Sequence, residues 1–227
     1  DLDRPRSSEV ASFLQKTRAI QTVTRRQARL IFALDATASR EPTWAQARAL
    51  HGELFGAAAA ETSLAVQLCY YRGHAEFRAS EWLTHSSALL DQMAGVTCLA
   101  GATQIGRLIT HALQAGSVNQ PVRALVFVGD ACEEGREYLS SLAGQCGIRK
   151  LPLFLLQEGH DAQTRAIFQE LARLSGGATI PFDAGSAERL RMLLRAVANF
   201  ARGGIKALQK GSDEGERLLL EAPRNRS

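Results

Sequence analysis

Runs of apolar residues alternate along the chain with segments that have helical spacing. Nearly unbroken apolar runs at residues 29–34, 122–128 and 151–156 are typical of strands buried on both faces. Between them, apolar residues recur every three or four positions, which predicts helices. Because parallel strands require crossover connections, this alternation predicts a doubly wound, Rossmann-like α/β domain. We expect a mostly parallel sheet of about six strands with helices on both faces.

Weaker patterns predict the remaining elements. Residues 63–71 form a second strand, residues 75–78 pair with it as an antiparallel hairpin, and residues 178–182 form a last short strand. Gly203–Gly204 is predicted to end the last helix. Helices are predicted from Pro42 to about Phe55, on Trp82, Leu89, Leu90 and Met93, on Ile105, Leu108, Ile109 and Ala112, on Tyr138, Leu139 and Leu142, on Ile167, Leu171 and Leu174, and on Leu190, Leu193, Leu194, Val197 and Phe200.

The sequence divides into three parts. Residues 1–28 are a basic, helical N-terminal extension, residues 29–210 form the domain, and residues 211–227 are a polar tail that we expect to fray or dock weakly. The chain has 227 residues, 45% of them apolar, a content that suits one buried core. A basic extension can attract nucleic acid, but no aromatic residues interleave with the basic ones to stack on bases, so nucleic acid is not an expected partner.

Composition also limits the compartment and the chemistry. No two of the four cysteines have C-x-x-C spacing, so all four are predicted to be ordinary reduced thiols. Neither an apolar run of roughly 18 residues nor the layout of a signal peptide occurs, which predicts a cytoplasmic protein without a membrane partner. Gly-rich phosphate-binding motifs do not occur, so nucleotide binding is unsupported.

Two acidic residues stand where strands end. Asp35 closes the first strand and Asp130 follows the strand at residues 122–128. If these strands are neighbours, both carboxylates face one crevice, because sites in open parallel sheets form at the carboxyl ends of strands. Asp35, Thr37 and Ser39 lie two positions apart, so a turning loop can direct all three oxygens to one point. Such oxygens suit a hard cation, above all Mg²⁺.

The segment Asp35-Ala36-Thr37-Ala38-Ser39 resembles the Asp-x-Ser/Thr-x-Ser signature of the metal-ion-dependent adhesion site in von Willebrand factor A-type (VWA) domains. The order of elements over residues 29–202 is also similar to that family. In the family a third loop supplies a Thr at a helix start, matched here by Thr103, and a fourth supplies an Asp after the central strand, matched by Asp130. The resemblance thus implies a metal site formed by Asp35, Thr37, Ser39, Thr103 and Asp130.

This resemblance also implies a function. VWA domains of this type hold a divalent cation, here Mg²⁺ or alternatively Mn²⁺ or Ca²⁺, and bind an acidic side chain of a partner protein at the open coordination position. We therefore expect a protein-binding module with no catalytic residues. Intracellular bacterial members of the family resemble adaptor subunits that work with ATPases or other assemblies, which favours an intracellular scaffold or adaptor.

Two other interpretations remain open at this stage. Taken singly, Asp35, Thr37, Thr103 and Asp130 are also explained as helix caps. An enzymatic alternative is a Mg²⁺-dependent phosphatase of the haloacid dehalogenase type, with an aspartate nucleophile after the first strand. Such enzymes have a second Asp two positions on, where this chain has Thr37. Glu133 and Glu134 are expected to be solvated residues in the first turn of the next helix.

Overall fold

A computed structural model describes residues 27–42, 44–45, 64–182, 187–211 and 214–221. The predicted basic extension at residues 1–28 lies almost entirely outside these ranges, and so does most of the helix predicted from Pro42 to Phe55. The side chains of Leu190, Leu193 and Leu194 are also outside the described part.

Six strands form one sheet: β1 Ala28–Asp35, β2 Leu64–Arg72, β3 Glu76–Ala79, β4 Val122–Gly129, β5 Leu153–Glu158 and β6 Ala178–Phe182. They lie in the order β3-β2-β1-β4-β5-β6. Neighbouring strands are parallel except for β2 and β3, which pair antiparallel as an edge hairpin. This arrangement confirms the predicted fold class.

The winding direction of the sheet reverses between β1 and β4. From β1 the chain passes to β2 on one side, and after β3 it returns to β4 on the other side. In register, Leu34 pairs with Val128, and Asp35 pairs with Tyr71 of β2. The carboxyl ends of β1 and β4 therefore lie side by side at the switch point, where parallel α/β sheets form their binding crevices.

Each face of the sheet packs against its own apolar layer. In β1, Leu30, Phe32 and Leu34 belong to one layer, whereas Ile31 and Ala33 belong to the other. All five side chains are at most 1% exposed. A strand covered by helices on both faces has no solvent side, which explains why its sequence is apolar without alternation.

Helices cover both faces of the sheet. One face carries α2 (Ile105–Ala115), α3 (Arg136–Ile148) and α4 (Ala162–Ser175). The helix predicted around Trp82 begins later, at Ser86, because Leu83 exchanges two 2.8 Å backbone hydrogen bonds with Val66 and holds this segment extended. Within the described ranges the helices are α1 Ser86–Ala94, α2 Ile105–Ala115, α3 Arg136–Ile148, α4 Ala162–Ser175, α5 Ala187–Lys210 and α6 Glu214–Glu221.

The C-terminal region differs from the expected weakly docked tail. Part of it forms α6, whose Leu219 is fully buried and whose Glu216 is 5% exposed and accepts a hydrogen bond from Asn199 of α5. The apolar stripe of α6 thus outweighs the polar composition of the segment. The stop predicted at Gly203–Gly204 is a kink inside α5, where Gly204 has a φ of 63° and the helix then resumes.

None of the described helices is long and apolar enough to cross a membrane. All four cysteines are free thiols, and Cys69, Cys132 and Cys146 are buried. Burial raises the pKa of Cys69 and of Cys146 to about 12, so both stay protonated at neutral pH and act as packing residues.

Candidate metal centre

A pocket of about 240 Å³ opens at the carboxyl edge of the sheet, where β1 and β4 end. Three loops form it: the loop after β1, the loop before α2 and the loop after β4. The structure brings all five predicted metal ligands to this one pocket: Asp35, Thr37, Ser39, Thr103 and Asp130. Ala38, Ala100, Gly101, Ala131 and Glu133 complete its lining.

Asp35 is held rigidly at the end of β1. Its carboxylate Oδ1 accepts a 2.7 Å hydrogen bond from the backbone N–H of Thr37, and its Oδ2 accepts a 3.2 Å hydrogen bond from the hydroxyl of Tyr71. Trp44 Nε1 donates to the backbone carbonyl of Asp35 at 2.9 Å. Burial raises the pKa of Asp35, and the negative charge of Asp130 raises it further, although the Thr37 hydrogen bonds lower it. A nearby cation would stabilise this buried carboxylate.

The hydroxyl residues of the first loop lie beside Asp35. Thr37 occupies the N-cap position of a short 3₁₀ turn, Ala38–Arg40, yet its side chain makes no capping hydrogen bond. The exposed Ser39 donates from Oγ to Asp130 Oδ2 over a long 3.5 Å. This contact joins the loop after β1 to the loop after β4.

Thr103 joins the loop before α2 to the loop after β4 through a reciprocal pair of hydrogen bonds. Its Oγ1 accepts from the backbone N–H of Glu133 at 3.0 Å, and its own backbone N–H donates to Glu133 Oε2 at 3.2 Å. The neighbouring Glu134 accepts from the N–H groups of Ile105 and Gly106, the latter at 2.8 Å. Glu133 and Glu134 therefore hold the start of α2, contrary to the expected role in the first turn of the following helix, α3.

Backbone contacts fix the loop before α2 against the end of β1. Leu99 N–H donates to the carbonyl of Ala36 at 3.0 Å, and Ala36 N–H donates to the carbonyl of Tyr71 at 3.0 Å. Gly101 packs so closely on the turn after β2 that an added Cβ would lie 1.9 Å from the carbonyl oxygen of Gly73. These contacts set the position of Thr103 relative to Asp35.

A buried arginine adjoins the pocket. The side chain of Arg40 is 10% exposed, and its Nη2 lies 2.9 Å from Asp130 Oδ2. Its Nη1 pairs with Glu158 at the end of β5, and its Nε donates to Ser39 Oγ at 3.3 Å. Two of the predicted ligands, Ser39 and Asp130, are thus in contact with a fixed positive charge.

Helix capping does not account for Thr103 and Asp130. The N-cap residue of α2 is Gln104, one position after Thr103, and the N-cap residue of α3 is Gly135, five positions after Asp130. The hydroxyl of Thr103 contacts Glu133, and the carboxylate of Asp130 contacts Arg40, so both groups bridge loops.

No protein-family model and no curated protein sequence matches this chain. Solved structures share its fold. An aerotolerance-related membrane protein from Bacteroides fragilis aligns with a TM-score of 0.60 at 17% identity, covering 76% of this chain and 98% of its own. A von Willebrand factor type A protein from Catenulispora acidiphila aligns at 0.59 with 15% identity, covering 78% and 43% of the two chains. The SpRpn10 VWA domain aligns at 0.56 with 9% identity, covering 72% and 95%. This chain has the VWA fold.

At this level of identity the comparisons establish the VWA fold alone. The haloacid dehalogenase-type alternative gains no support from these comparisons. In the described part of the chain no group of three or more His, Cys, Asp or Glu side chains could hold a metal ion. The predicted site therefore depends on hydroxyl groups together with Asp35 and Asp130. An all-oxygen donor set of this kind fits a hard divalent cation and disfavours a soft one.

The Asp35–Ser39 motif does not indicate three residues that contact the predicted ligands: Tyr71, Arg40 and Glu133. Tyr71 reaches Asp35 because the two residues are paired across neighbouring strands. This pairing can be predicted only when the register of the two strands is known. Arg40 follows the motif directly, but its burial depends on Glu158, 118 positions away. Glu133 follows Asp130 by three positions, but nothing in its sequence context indicates that it exchanges hydrogen bonds with Thr103.

Proposed function

We propose that this chain is a metal-ion-dependent protein-binding module. Asp35, Thr37, Ser39, Thr103 and Asp130 would hold a divalent cation, which is Mg²⁺ in our proposal, with Mn²⁺ or Ca²⁺ as alternatives. The observation that carries the proposal is that these five side chains, from three separate loops, line a single pocket at the switch point of the sheet.

The charge of the donor set favours binding over catalysis. Only two of the five donors are carboxylates, and the other three are neutral hydroxyls. When bound, the cation would supply an incompletely neutralised positive centre that accepts a carboxylate oxygen. Asp35 is fixed by Thr37 and Tyr71, while Thr103 is fixed by Glu133, so these donors need little reordering to bind.

The partner in this proposal is a protein that presents an acidic side chain. We place the module in the cytoplasm as a scaffold or adaptor, with an ATPase assembly as one partner class, on the strength of the sequence resemblance to VWA adaptors. Loss of partner capture from a cell lysate on addition of chelator, with recovery on adding Mg²⁺, is the expected behaviour. Capture that is indifferent to chelator would contradict metal-dependent binding.

A thermal titration tests the cation site directly. Raising the Mg²⁺ or Mn²⁺ concentration to about a hundred times its Kd stabilises the folded state by about 2.7 kcal/mol, by mass action. For a domain of this size the Tm should rise by about 5–10 °C. Asp35→Asn keeps the volume of the side chain but removes the charge, so its Tm should not respond.

The matched control is Asp91→Asn, because Asp91 is an exposed aspartate of α1 that does not line the pocket. Its Tm should rise with the cation as in the wild type. No rise in the wild type, or an equal rise in Asp35→Asn, would refute the proposed site. Hydrolysis of a generic phosphate ester that Asp35→Asn abolishes would favour the phosphatase alternative instead.

A further inference from the structure

Arg40 lies beside the pocket and contacts two of the residues that line it. Its guanidinium is turned inward and contacts three groups: Asp130 Oδ2, Ser39 Oγ and the carboxylate of Glu158. Asp130 and Ser39 are two of the five donors in the proposed function, and this inference rests on that proposal. The contacts of both Arg40 and Ser39 with Asp130 fall on the same oxygen, Oδ2.

We infer that Arg40 is a resident counter-ion of Asp130 that competes with the divalent cation and thereby sets the cation affinity of the pocket. A carboxylate oxygen already paired with a guanidinium at 2.9 Å has less negative charge to offer a metal ion. A cation that binds Asp130 must either share this oxygen with Arg40 or displace it. Like charges this close repel, and burial of Arg40 limits screening by solvent.

Glu158 keeps Arg40 in place. Its side chain is 13% exposed and pairs with Nη1, while Nη2 pairs with Asp130. The guanidinium is therefore anchored at the end of β5 while it reaches the pocket at the end of β4. Arg40 and Glu158 can therefore be neutralised together, so that neither of these two buried side chains keeps a charge without its partner. The effect of the Arg40 charge on cation binding can then be measured apart from a loss of stability.

The experiment measures Mn²⁺ affinity by calorimetry in the wild type, in the double variant Arg40→Gln with Glu158→Gln, and in a control double variant. The control is Arg136→Gln with Glu170→Gln, which neutralises an ion pair between α3 and α4 that does not line the pocket. We expect about ten-fold tighter binding or more in the Arg40 double variant, and affinity unchanged in the control. Adding Asp35→Asn to the Arg40 double variant should abolish the gain.

The outcomes separate this inference from the proposed function. If the wild type binds Mn²⁺ and the Arg40 double variant binds no more tightly, the competition is refuted while the site stands. If neither binds, both proposals fail. Binding by the double variant alone would support the competition. Should the double variant not fold, as judged by circular dichroism, Arg40→Met with Glu158→Leu, which replaces the buried ion pair by apolar side chains, carries the same expectation.

Discussion

Replacing Tyr71 with Phe removes a single hydrogen bond from the support of the pocket. The Tyr71 ring is 1% exposed, and it stacks on Phe127 with 6.0 Å between the ring centroids. Phe keeps this packing and loses the hydroxyl that donates to Asp35 at 3.2 Å. Burial and the charge of Asp35 raise the pKa of Tyr71 well above its usual value, so the hydroxyl remains a protonated donor at neutral pH.

The magnitude follows from the kind of bond that is lost. Hydrogen bonds to charged groups contribute about 1.5–3 kcal/mol each. The 3.2 Å separation of the two oxygens exceeds the usual O–H···O length, so we expect a loss near the lower limit, about 1.5 kcal/mol. In a domain of this size that loss lowers the Tm by about 3–6 °C.

The assay is urea unfolding at neutral pH in the presence of chelator. Tyr70→Phe is the matched control, because Tyr70 precedes Tyr71 in β2 and its hydroxyl makes no hydrogen bond to any residue that the structure describes. The control should unfold like the wild type. A Tyr71→Phe variant within about 0.5 kcal/mol of the wild type would refute the argument that this hydroxyl stabilises the buried carboxylate.

Two further predictions concern the loops and the carboxylate. Gly101→Ala would place a Cβ 1.9 Å from the carbonyl oxygen of Gly73, so thermal unfolding should show that the free energy of unfolding falls by about 1–3 kcal/mol. The control is Gly144→Ala, in an open position of α3, which should raise the free energy of unfolding by about 0.5–1 kcal/mol. Burial raises the folded-state pKa of Asp35, so the stability that this group contributes declines as pH rises through that pKa. Without metal, Asp35→Asn should match or exceed the wild type in stability at neutral pH, and urea unfolding at lower pH should show the difference shrink. A wild type that is clearly more stable at neutral pH would contradict this expectation.

The sheet could be predicted from sequence because its information is local. The buried strands at residues 28–35 and 122–129 are apolar on both faces, and this pattern marks them without knowledge of their neighbours. The motif at Asp35 and the Gly129-Asp130 pair follow from where these strands end. The prediction that Asp35 and Asp130 face one crevice requires that their strands are neighbours, and the structure confirms that β1 and β4 are adjacent.

Elements whose conformation depends on distant partners could not be predicted in the same way. Trp82 and Leu89 have helical spacing, but the intervening Leu83 bonds to Val66 and keeps the chain extended. Within the predicted polar tail, residues 214–221 form α6 because Leu219 is buried against α5. In both cases a tertiary contact outweighs the local pattern.

Inside the pocket, some loops are held by many contacts and others by few, and this difference indicates which part of the site a cation would change most. The loop carrying Thr103 is joined to its neighbours by hydrogen bonds of 3.0–3.4 Å at Leu99 and Glu133, and none of these bonds involves a carboxylate oxygen of Asp35 or Asp130. The Ser39–Asp130 contact is instead long, at 3.5 Å, and shares its acceptor with Arg40. Binding of a cation would therefore leave the Thr103 loop in place and rearrange the contacts of Asp130. The carboxylate of Asp130 would exchange the guanidinium of Arg40 for the cation.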